Sequence, residues 1–598
     1  MFQNFEMTTR PENGGPRVSA LRQAMAEIDC DAFLVPRADA HRGENVAPCD
    51  ERLAWLTGFT GSAGMAAVTG DRAVVFVDGR YTLQVRAQTL ADVFEYQNIP
   101  RDKLSAWLTA ALPEGGRIGF DPWLHTDAEI GRLQKALGPG FDLVETANLV
   151  DQIWADRPAQ PVEPIVVHPL EFAGDDSAAK RARLAEKLRA DDIGATILSL
   201  PDSIAWLLNI RGSDIARTPV ARAFAILNAD ASLRLFVTDT AAAGADLRAH
   251  LGDDITLAAT ADLLSDLDAL RGRVALDRDT APVALRNALS QAEIVWQRDP
   301  CIIPKAVKNT AELNGSRAAH LRDGAAMVEF LAWLDATAPG GALTEIDVAT
   351  KLEAFRSKAN GLRDISFETI SGAGANGAII HYRVTTETNA PLLPDSIYLV
   401  DSGGQYLDGT TDITRTIAIG TPPEGAARAY TLVLKGMIAL SALRFPSELS
   451  GRDIDALARV ALWQHGFDYD HGTGHGVGAY LGVHEGPISI SRRSTEPLLP
   501  GMILSNEPGY YREGAFGIRI ENLIVVEPPS TPEGGDREML SFETLTFAPL
   551  DRRLIDASLM TGAEIAWLNA YHAETLARLA DHVSIEAAAW LVEATRPI

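Results

Sequence analysis

Hydrophobic positions in the first half of the chain alternate between helical and strand spacing, and one such series occurs twice. The paired segments, first copy and then second, are the apolar strands 32–35 and 195–198, the Trp-containing runs 53–56 and 204–207, the Gly-Ser pairs 61–62 and 212–213, and the apolar strands 74–77 and 224–227. Trp55 precedes Gly61 by the same interval that separates Trp206 from Gly212. A chance likeness between two α/β segments is the alternative, but the shared spacing favours duplication. We therefore predict two tandem α/β domains.

Proline and a return of helical spacing mark the domain boundaries. Prolines recur between 158 and 169 and disfavour helix and sheet interiors, which predicts a linker. A third region begins near Pro304, where Asn309 and Glu312 have the spacing of a helix capping box. Residues 366–526 are rich in glycine and β-branched side chains, and a helical tail follows them. The predicted class is α/β, with domains at 1–157, 158–303 and 304–598.

The composition is that of a globular protein and excludes several classes of function. Of the 598 residues, 46% are hydrophobic and 22% are charged, and no stretch approaches the roughly 18 apolar residues of a membrane span. The formal net charge of −26 argues against a nucleic acid or an anionic membrane as a partner. The three cysteines lack metal-binding spacing and fit a reducing compartment. Because the first residues are polar and lack the apolar run of a secretory signal, we expect a cytoplasmic protein.

Two aspartates follow the strand pattern of the third region. Asp401 ends an apolar run at 397–400, where a carboxylate is costly unless it is paired or binds a metal. Gly403 and Gly404 predict a turn, and the return strand places Asp412 on the same face as the threonines beside it. Such a hairpin would bring both aspartates to one patch. The alternative is that they are turn and solvent-face residues.

Histidines occur in two glycine-containing runs. His471 and His475 lie among the glycines of 470–478, which allow a close backbone approach to a metal or substrate, and His484 follows soon after. A flexible glycine loop with surface histidines is the alternative. His381 lies in an apolar run that we predict to be a strand; a buried core histidine is the usual reason for this pattern, but the surrounding motifs favour catalysis.

Two glutamates complete a set of five candidate metal ligands. Glu507 follows one strand-like segment, and Glu521 shares the face of another with Arg519, which we expect to orient a carboxylate ligand. A surface ion-pair face is the alternative. Together with Asp401, Asp412 and His475, they give four carboxylates and one imidazole, a set that suits Mn²⁺, Co²⁺ or Mg²⁺ better than a thiolate zinc cage. If the five converge, the site is a two-metal hydrolytic centre.

In this order the segments resemble the metallopeptidases of the pita-bread fold. The resemblance rests on the five ligand positions, the run 471–478 and the run 517–522. Further runs resemble the three-domain cytosolic aminopeptidase P group, and these are 39–50, 58–64, 78–81 and the tail 567–572. The resemblance implies two tandem creatinase-N-like α/β domains, followed by a pita-bread catalytic domain with a helical tail. One departure is the run after His381, which lacks the proline that many relatives carry.

The resemblance also implies a role for each residue. Asp401 would bind one metal, Asp412 and Glu521 would bridge two, and His475 and Glu507 would bind the second. The ions would be Mn²⁺, with Co²⁺ or Zn²⁺ as alternatives. The catalytic groups would be His381, His484 and Glu507, and the substrate-binding groups would be His381, His471, His484 and Arg519.

The implied activity is removal of the first residue from short peptides with proline in second position, by a hydroxide held between two metals. A homodimer is expected from the same resemblance. Two alternatives remain: a prolidase restricted to Xaa-Pro dipeptides, and a non-catalytic pita-bread binding module. Chain length and the tail argue against the first, and the complete ligand set argues against the second.

Overall fold

The computed structural model describes residues 2–359 and 361–598, and the chain divides into two compact units. The N-terminal unit is Thr8–Ile302, and the C-terminal unit comprises Ile303–Ile598 together with the residues up to Met7. The sequence placed residues 1–7 in the first α/β domain. The described residues of this segment belong instead to the C-terminal unit, because the Phe5 side chain joins one of its hydrophobic clusters.

The N-terminal unit contains two six-stranded mixed sheets and twelve helices of α type in its described residues. Its strands are β1 (Ala32–Pro36), β2 (Met65–Thr69), β3 (Ala73–Val77), β4 (Glu95–Asn98), β5 (Gly116–Phe120), β6 (Phe141–Glu145), β7 (Val166–Val167), β8 (Ala195–Leu198), β9 (Ile210–Arg211), β10 (Ala223–Asn228), β11 (Leu233–Val237), β12 (Ile255–Ala259), β13 (Gly272–Leu276) and β14 (Ala292–Trp296). Its helices are α1 (Gly14–Glu27), α2 (Arg52–Thr57), α3 (Thr82–Gln88), α4 (Leu104–Ala111), α5 (Asp127–Leu137), α6 (Leu149–Ile153), α7 (Leu170–Ala173), α8 (Ser177–Ala190), α9 (Pro201–Leu208), α10 (Ala245–Leu251), α11 (Leu263–Ala269) and α12 (Val283–Ala288).

The two sheets have the same topology, which supports the predicted duplication. Their strand orders are β4-β3-β2-β1-β5-β6 and β12-β11-β10-β8-β13-β14, with antiparallel and parallel pairs at equivalent places. One predicted equivalence is wrong by a strand: the segment 224–227 lies in β10, whose counterpart is β2 and not the strand at 74–77. The second copy has a longer connection between its Gly-Ser pair and the next strand, so equal spacing pointed to the wrong partner.

The C-terminal unit contains seven α-helices and fifteen strands in its described part. The helices are α13 (Ile302–Ala306), α14 (Thr310–Thr337), α15 (Glu345–Arg356), α16 (Ala426–Ser441), α17 (Gly451–Trp463), α18 (Gly562–Leu579) and α19 (Ile585–Ala594). The strands are β15 (Leu362–Ile365), β16 (Ile370–Ala373), β17 (Ser396–Ser402), β18 (Gly404–Tyr406), β19 (Gly409–Thr410), β20 (Ile413–Ile419), β21 (Phe445–Pro446), β22 (Gly474–His475), β23 (Ser489–Ile490), β24 (Ile503–Asn506), β25 (Gly509–Arg512), β26 (Phe516–Arg519), β27 (Asn522–Val526), β28 (Met539–Leu540) and β29 (Phe542–Thr544).

Two helix pairs cover two small sheets in this unit. Helices α14 and α15 pack on the sheet β16-β17-β20, where their apolar side chains share one cluster with those of the strands. Helices α16 and α17 pack on the sheet β24-β27-β29 in a second cluster. The predicted capping box of Asn309 and Glu312 begins α14. Among the described residues, none of the helices has the length and apolar character that a bilayer crossing demands.

The predicted turn at Gly403 and Gly404 is not present. Strands β17 and β20 pair with Asp401 opposite Thr414, and the chain between them makes an additional hairpin of β18 and β19. Gly403 is required for another reason, since a Cβ on this residue would lie 1.9 Å from the carbonyl oxygen of Thr411. The glycine therefore permits close backbone packing rather than a turn.

The segment around His381 is also not the predicted strand. A 3₁₀ helix at Gly374–Ala378 is followed by irregular backbone that turns on itself, with the Tyr382 amide donating to the Ile379 carbonyl. The apolar residues of this run are buried in a local cluster with Phe5, so their pattern reflects burial and not sheet pairing.

Candidate metal centre

Each of the five predicted ligand residues lies in a strand or directly beside one. Asp401 is in β17 and Asp412 immediately precedes β20, so the antiparallel pairing of these strands brings the two aspartates together. His475 ends β22, Glu507 follows β24, and Glu521 lies between β26 and β27. The five residues therefore lie in or directly beside strands of three sheets, which are β16-β17-β20, β22-β23 and β24-β27-β29.

Ligand atoms of Asp412, His475 and Glu521 all lie within 4.8 Å of one another. The Nε2 atom of His475 is 3.4 Å from Asp412 Oδ2 and 3.6 Å from Glu507 Oε1. Asp401 lies close enough for its charge to interact with those of Asp412 and Glu507. The Nη2 atom of Arg519 lies 2.6 Å from Asp401 Oδ2. The predicted set thus converges, with Asp412, His475 and Glu521 at its centre.

Carboxylate oxygens in the cluster fit a cation. Within the part of the chain that the structure describes, Asp401 Oδ1, Asp412 Oδ1 and Glu521 Oε1 are buried and have no hydrogen-bond partner. Buried polar atoms are nearly always satisfied, so three such oxygens at one place call for a ligand that accepts their electron pairs. Oxygen and imidazole donors of this kind suit hard or borderline divalent metals.

Burial and mutual repulsion shift the ionisation of the cluster. Burial raises the pKa of Asp401 to about 6. The positive charge of Arg519 opposes this rise, and the negative charge of Asp412 adds to it. Burial also raises the pKa of Glu521 well above its usual range, helped by the charges of Asp412 and Asp401. Burial alone would lower the pKa of His475, but the hydrogen bond to Asp412 and the charge of Glu507 raise it to about 9.

Hydrogen bonds to backbone carbonyls orient the cluster's imidazole. His475 Nδ1 lies 2.9 Å from the Gly476 carbonyl oxygen, which can only accept, so the Nδ1 atom carries a proton. The Nε2 atom is thereby left facing the carboxylates as a potential ligand. Ser505 joins the two segments, since its hydroxyl accepts from the His475 amide at 2.9 Å and donates to Glu507 Oε1 at 3.2 Å.

The glycines of the 471–478 run allow this segment to lie directly against β24. A Cβ on Gly474 would be 1.9 Å from the carbonyl oxygen of Ser505, so only glycine fits there. From the other side, Arg459 of α17 donates to the His471 carbonyl at 2.7 Å, and Asp455 accepts from the Thr473 hydroxyl at 2.6 Å. These contacts hold the loop that carries both histidines between α17 and β24.

Arg519 connects Asp401 to the predicted substrate histidine His471. Its Nη1 atom donates to the Tyr511 hydroxyl at 2.7 Å, and that hydroxyl lies 2.9 Å from His471 Nε2. Burial raises the pKa of Tyr511 to about 12, so the phenol remains protonated and donates to the imidazole. The other nitrogen of His471 lies 2.7 Å from the Gly472 carbonyl. Both ring nitrogens of His471 thus have protein partners, and a substrate contact would replace one of them.

The other two predicted substrate histidines occupy loops beside the cluster. The His484 ring lies with its centre 4.2 Å from that of His475, edge to face, and the residue is exposed. His381 is half-buried, and the residue before it, Ile380, accepts a 3.4 Å hydrogen bond from Arg519 through its carbonyl. The His484 ring therefore lies against the His475 imidazole, and the His381 loop is connected to Asp401 through Arg519.

Three residues of the site were not predicted from sequence. The Thr414 hydroxyl donates to Glu521 Oε2 at 2.7 Å and accepts from Arg519 Nε at 3.2 Å. The other two are Tyr511 and Ser505, whose contacts are described above. Thr414 and Ser505 each lie two residues from a predicted ligand, on the same strand face, and this period-two spacing is a usable signal. Tyr511 has no such signal.

Comparisons with known proteins agree with this architecture. The profile described as "Metallopeptidase family M24" matches residues 314–528, and "C-terminal region of peptidase M24" matches 538–598. The description "Creatinase/Prolidase N-terminal domain" matches twice, at 17–153 and 156–312. The two N-terminal matches correspond to the duplicated sheets, and the match at 314–528 contains all five predicted ligands of the candidate metal centre.

Relatives are similar over nearly the full length. The "Probable Xaa-Pro aminopeptidase P" of Coccidioides posadasii is 41% identical, covering 99% of this chain and 95% of the relative. "Aminopeptidase P2" of Arabidopsis thaliana is 40% identical, covering 97% and 88%. The crystal structure of an X-prolyl aminopeptidase from Caenorhabditis elegans, described as a cytosolic enzyme with a di-nuclear active site, is 34% identical with a TM-score of 0.93, covering 98% of this chain and 100% of that one. The chain therefore belongs to the aminopeptidase P group of metallopeptidase family M24.

Proposed function

We propose that this protein is a metal-dependent Xaa-Pro aminopeptidase, which removes the first residue from peptides with proline in second position. The observation that carries the proposal is the buried cluster of Asp412, His475 and Glu521. It lies in a chain whose relatives of comparable length are named for this activity. An inert member of the fold would have no reason to retain buried carboxylates whose oxygens lack protein partners.

Two divalent metal ions fit the donor set. Asp401 would hold one ion, His475 and Glu507 would hold the other, and Asp412 and Glu521 would be shared between them. Carboxylate-rich donors favour Mn²⁺, with Co²⁺ or Zn²⁺ as alternatives. When bound, such ions supply Lewis-acid activation of water and of the scissile carbonyl.

The chain's own residues hold and orient the substrate. His484 and His381 lie beside the cluster and would donate hydrogen bonds where negative charge develops on the carbonyl oxygen. Glu507, beside the His475 imidazole, would move a proton between the nucleophile and the leaving amine. Arg519 acts through Asp401 and Tyr511, and Tyr511 in turn holds the His471 imidazole, which would contact the residues after the cleaved bond.

Proline in second position explains the need for a dedicated peptidase. An Xaa-Pro bond lacks the amide N–H that strand-binding peptidases use, and the proline ring fixes φ. We infer that the substrates are short peptides. A prolidase would cleave only Xaa-Pro dipeptides. The similarity over nearly the full length to a relative named as an aminopeptidase, and the two N-terminal domain matches in this chain, favour the aminopeptidase.

A homodimer in the cytoplasm is the setting that we infer for the enzyme, with no nucleic acid or membrane partner. The acidic net charge and the free thiols of the described cysteines are consistent with this setting. Light scattering on the purified protein tests the dimer, and a mass equal to one chain would contradict it.

The central experiment combines metal titration with a peptide panel. Purified protein with added Mn²⁺ should remove the first residue from tripeptides and longer peptides that have proline in second position. It should not remove the first residue when another amino acid is in second position. Asp412→Asn and Glu521→Gln should each abolish the activity and the metal binding. Asp408 lies in the same hairpin, but its carboxylate pairs with Arg322. Asp408→Asn is therefore the control, and it should retain activity. Cleavage of dipeptides alone would establish the prolidase alternative.

A further inference from the structure

Residues 2–6 form a strap that lies on the C-terminal unit, more than 300 residues away in sequence from the groups it contacts. The Phe2 and Gln3 amides donate to the Glu353 carboxylate of α15 at 2.6 and 3.2 Å. The Gln3 side chain makes a two-way contact with the backbone of Thr369, accepting at 3.0 Å and donating at 3.2 Å. These bonds fix the first part of the strap beside the start of β16.

The second part of the strap contacts the loop that carries His381. The Thr386 amide donates to the Phe5 carbonyl oxygen at 2.9 Å, and Arg383 Nη2 donates to the Asn4 carbonyl oxygen at 3.3 Å. The Phe5 side chain is 8% exposed and shares a hydrophobic cluster with Tyr382 and Val384. The strap therefore covers the inner face of the loop.

Burial alternates along this loop. Tyr382 and Val384 are buried and share the hydrophobic cluster of Phe5, whereas His381 is half-buried. The Tyr382 hydroxyl donates to Glu345 Oε2 at 2.9 Å, and Arg519 holds the Ile380 carbonyl. The loop has no strand pairing, and the strap, Glu345 and Arg519 are among the contacts that hold the backbone on either side of His381.

We propose that the strap is a positioning element that holds His381 in its place beside the metal centre, with Phe5 as its principal anchor. The inference rests on the proposed function, since it concerns the substrate contact assigned there to His381. Phe5 does not touch the cluster and acts through the loop. Misplacement of a catalytic group by about 1 Å can lower the rate by about 10²-fold, so a shift of the loop has a measurable effect.

The test compares two phenylalanines of the strap. Phe5→Ala should lower kcat for an Xaa-Pro peptide by about ten-fold or more with unchanged metal content. Phe2→Ala changes a side chain that is 39% exposed and should leave kcat within two-fold (about 0.4 kcal/mol). Phe5→Leu, which keeps an apolar anchor, should restore most of the rate. Equal kcat for the Phe5→Ala and wild-type proteins would overturn the proposal.

A double-mutant cycle distinguishes positioning from general loss of structure. If Phe5 acts through His381, adding Phe5→Ala to His381→Ala should cause little further loss of kcat. If the two losses multiply, the strap does not act through His381, and the proposal fails. The cycle uses the full chain loaded with Mn²⁺.

Hydrogen exchange gives a readout that does not require activity. Phe5→Ala should increase exchange of the amides of 382–386, including that of Thr386, while β17 and β24 remain as protected as in the wild type. Inactive wild-type protein with a protected loop would refute the proposed function alone. If the wild-type protein is active and Phe5→Ala exchanges the amides of 382–386 at the wild-type rate, the strap proposal alone is refuted.

Discussion

Thr414 shows how a neutral side chain orients the carboxylates of the metal centre. Its single hydroxyl donates to Glu521 and accepts from Arg519, so it fixes which Glu521 oxygen faces the other ligands. Partners of this kind set the orientation of metal ligands and the affinity of the site. At the scale of single residues, the strength of the site therefore depends on groups that are not ligands.

Thr414→Val removes this hydroxyl at nearly constant volume. We expect the apparent affinity for Mn²⁺ to fall about 10- to 100-fold, because Glu521 loses its orienting donor. Calorimetric titration of the metal-free protein measures the change. Thr431→Val, which removes a buried hydroxyl in α16 remote from the cluster, is the matched control and should leave metal affinity unchanged. Equal affinities for both variants would contradict the assigned role.

Glu485 balances two buried lysines next to His484. Lys305 Nζ lies 2.9 Å from its Oε2 atom, Lys308 contacts its Oε1 atom, and all three side chains are 2% exposed. Glu485→Gln would remove the buried carboxylate that both ammonium groups contact, which should destabilise the C-terminal unit by about 3–5 kcal/mol.

Chemical denaturation measures that loss. The control is Lys435→Gln, which breaks the more exposed pair of Lys435 with Glu564 and should cost at most about 1 kcal/mol. Similar costs for the two variants would show that burial does not decide the strength of these pairs.

At the scale of elements, sequence patterns predicted contacts between residues that are close in sequence and missed contacts between residues that are far apart in sequence. The pairing of Asp401 with Asp412 was predictable because a hairpin places both on neighbouring strands. The contact of Tyr511 with His471 was not predictable, because the tertiary fold brings these two residues together, whereas Arg519 lies across the β25-β26 hairpin from Tyr511. The loop at His381 was misassigned because its apolar residues are buried by Phe5 and by side chains of β16 and β17 without pairing in their sheet.

The tail helix α18 contains a histidine whose protonation opposes folding. Burial lowers the pKa of His572 to about 4, helped by the charges of Arg415 and Arg552, and its Nε2 atom accepts from the Leu550 amide at 3.2 Å. The unfolded chain binds the proton with a pKa near 6.5. Stability contributed by the neutral ring is therefore complete above pH 6.5 and is lost as pH falls towards 4, by about 3 kcal/mol.

His572→Gln keeps an acceptor at the Nε2 position and cannot titrate. We expect its thermal midpoint to fall less steeply than that of the wild type between pH 6.5 and 4, with similar midpoints at pH 7.5. His582→Gln, a histidine outside the buried core of the tail, is the control and should keep the wild-type slope. Identical slopes for all three proteins would contradict the assignment of His572.

At the scale of the whole molecule, the candidate chemistry is confined to one unit. All five predicted ligands, the three predicted histidines and Arg519 belong to the C-terminal unit, whereas the duplicated sheets form the other. Each unit has hydrophobic clusters of its own. The chain leaves the C-terminal unit after Met7 and returns to it at Ile303. Metal binding should therefore stabilise the two units unequally.

Hydrogen exchange with and without Mn²⁺ tests this expectation. A ligand that binds only the native state adds RT ln(1 + [L]/Kd) to its stability, about 2.7 kcal/mol at a concentration of 100 Kd. With Mn²⁺ the peptides of β17, β20, β24 and β27 should exchange more slowly than in EDTA, because these strands position the ligands, while those of β1–β6 and β8–β14 should not change. Glu521→Gln should abolish the difference, because it removes one of the clustered carboxylates proposed to hold the metal but leaves the strands in place. Protection that extends equally to both units would mean that the metal couples them into one cooperative structure, and protection in neither would remove the basis for a metal site.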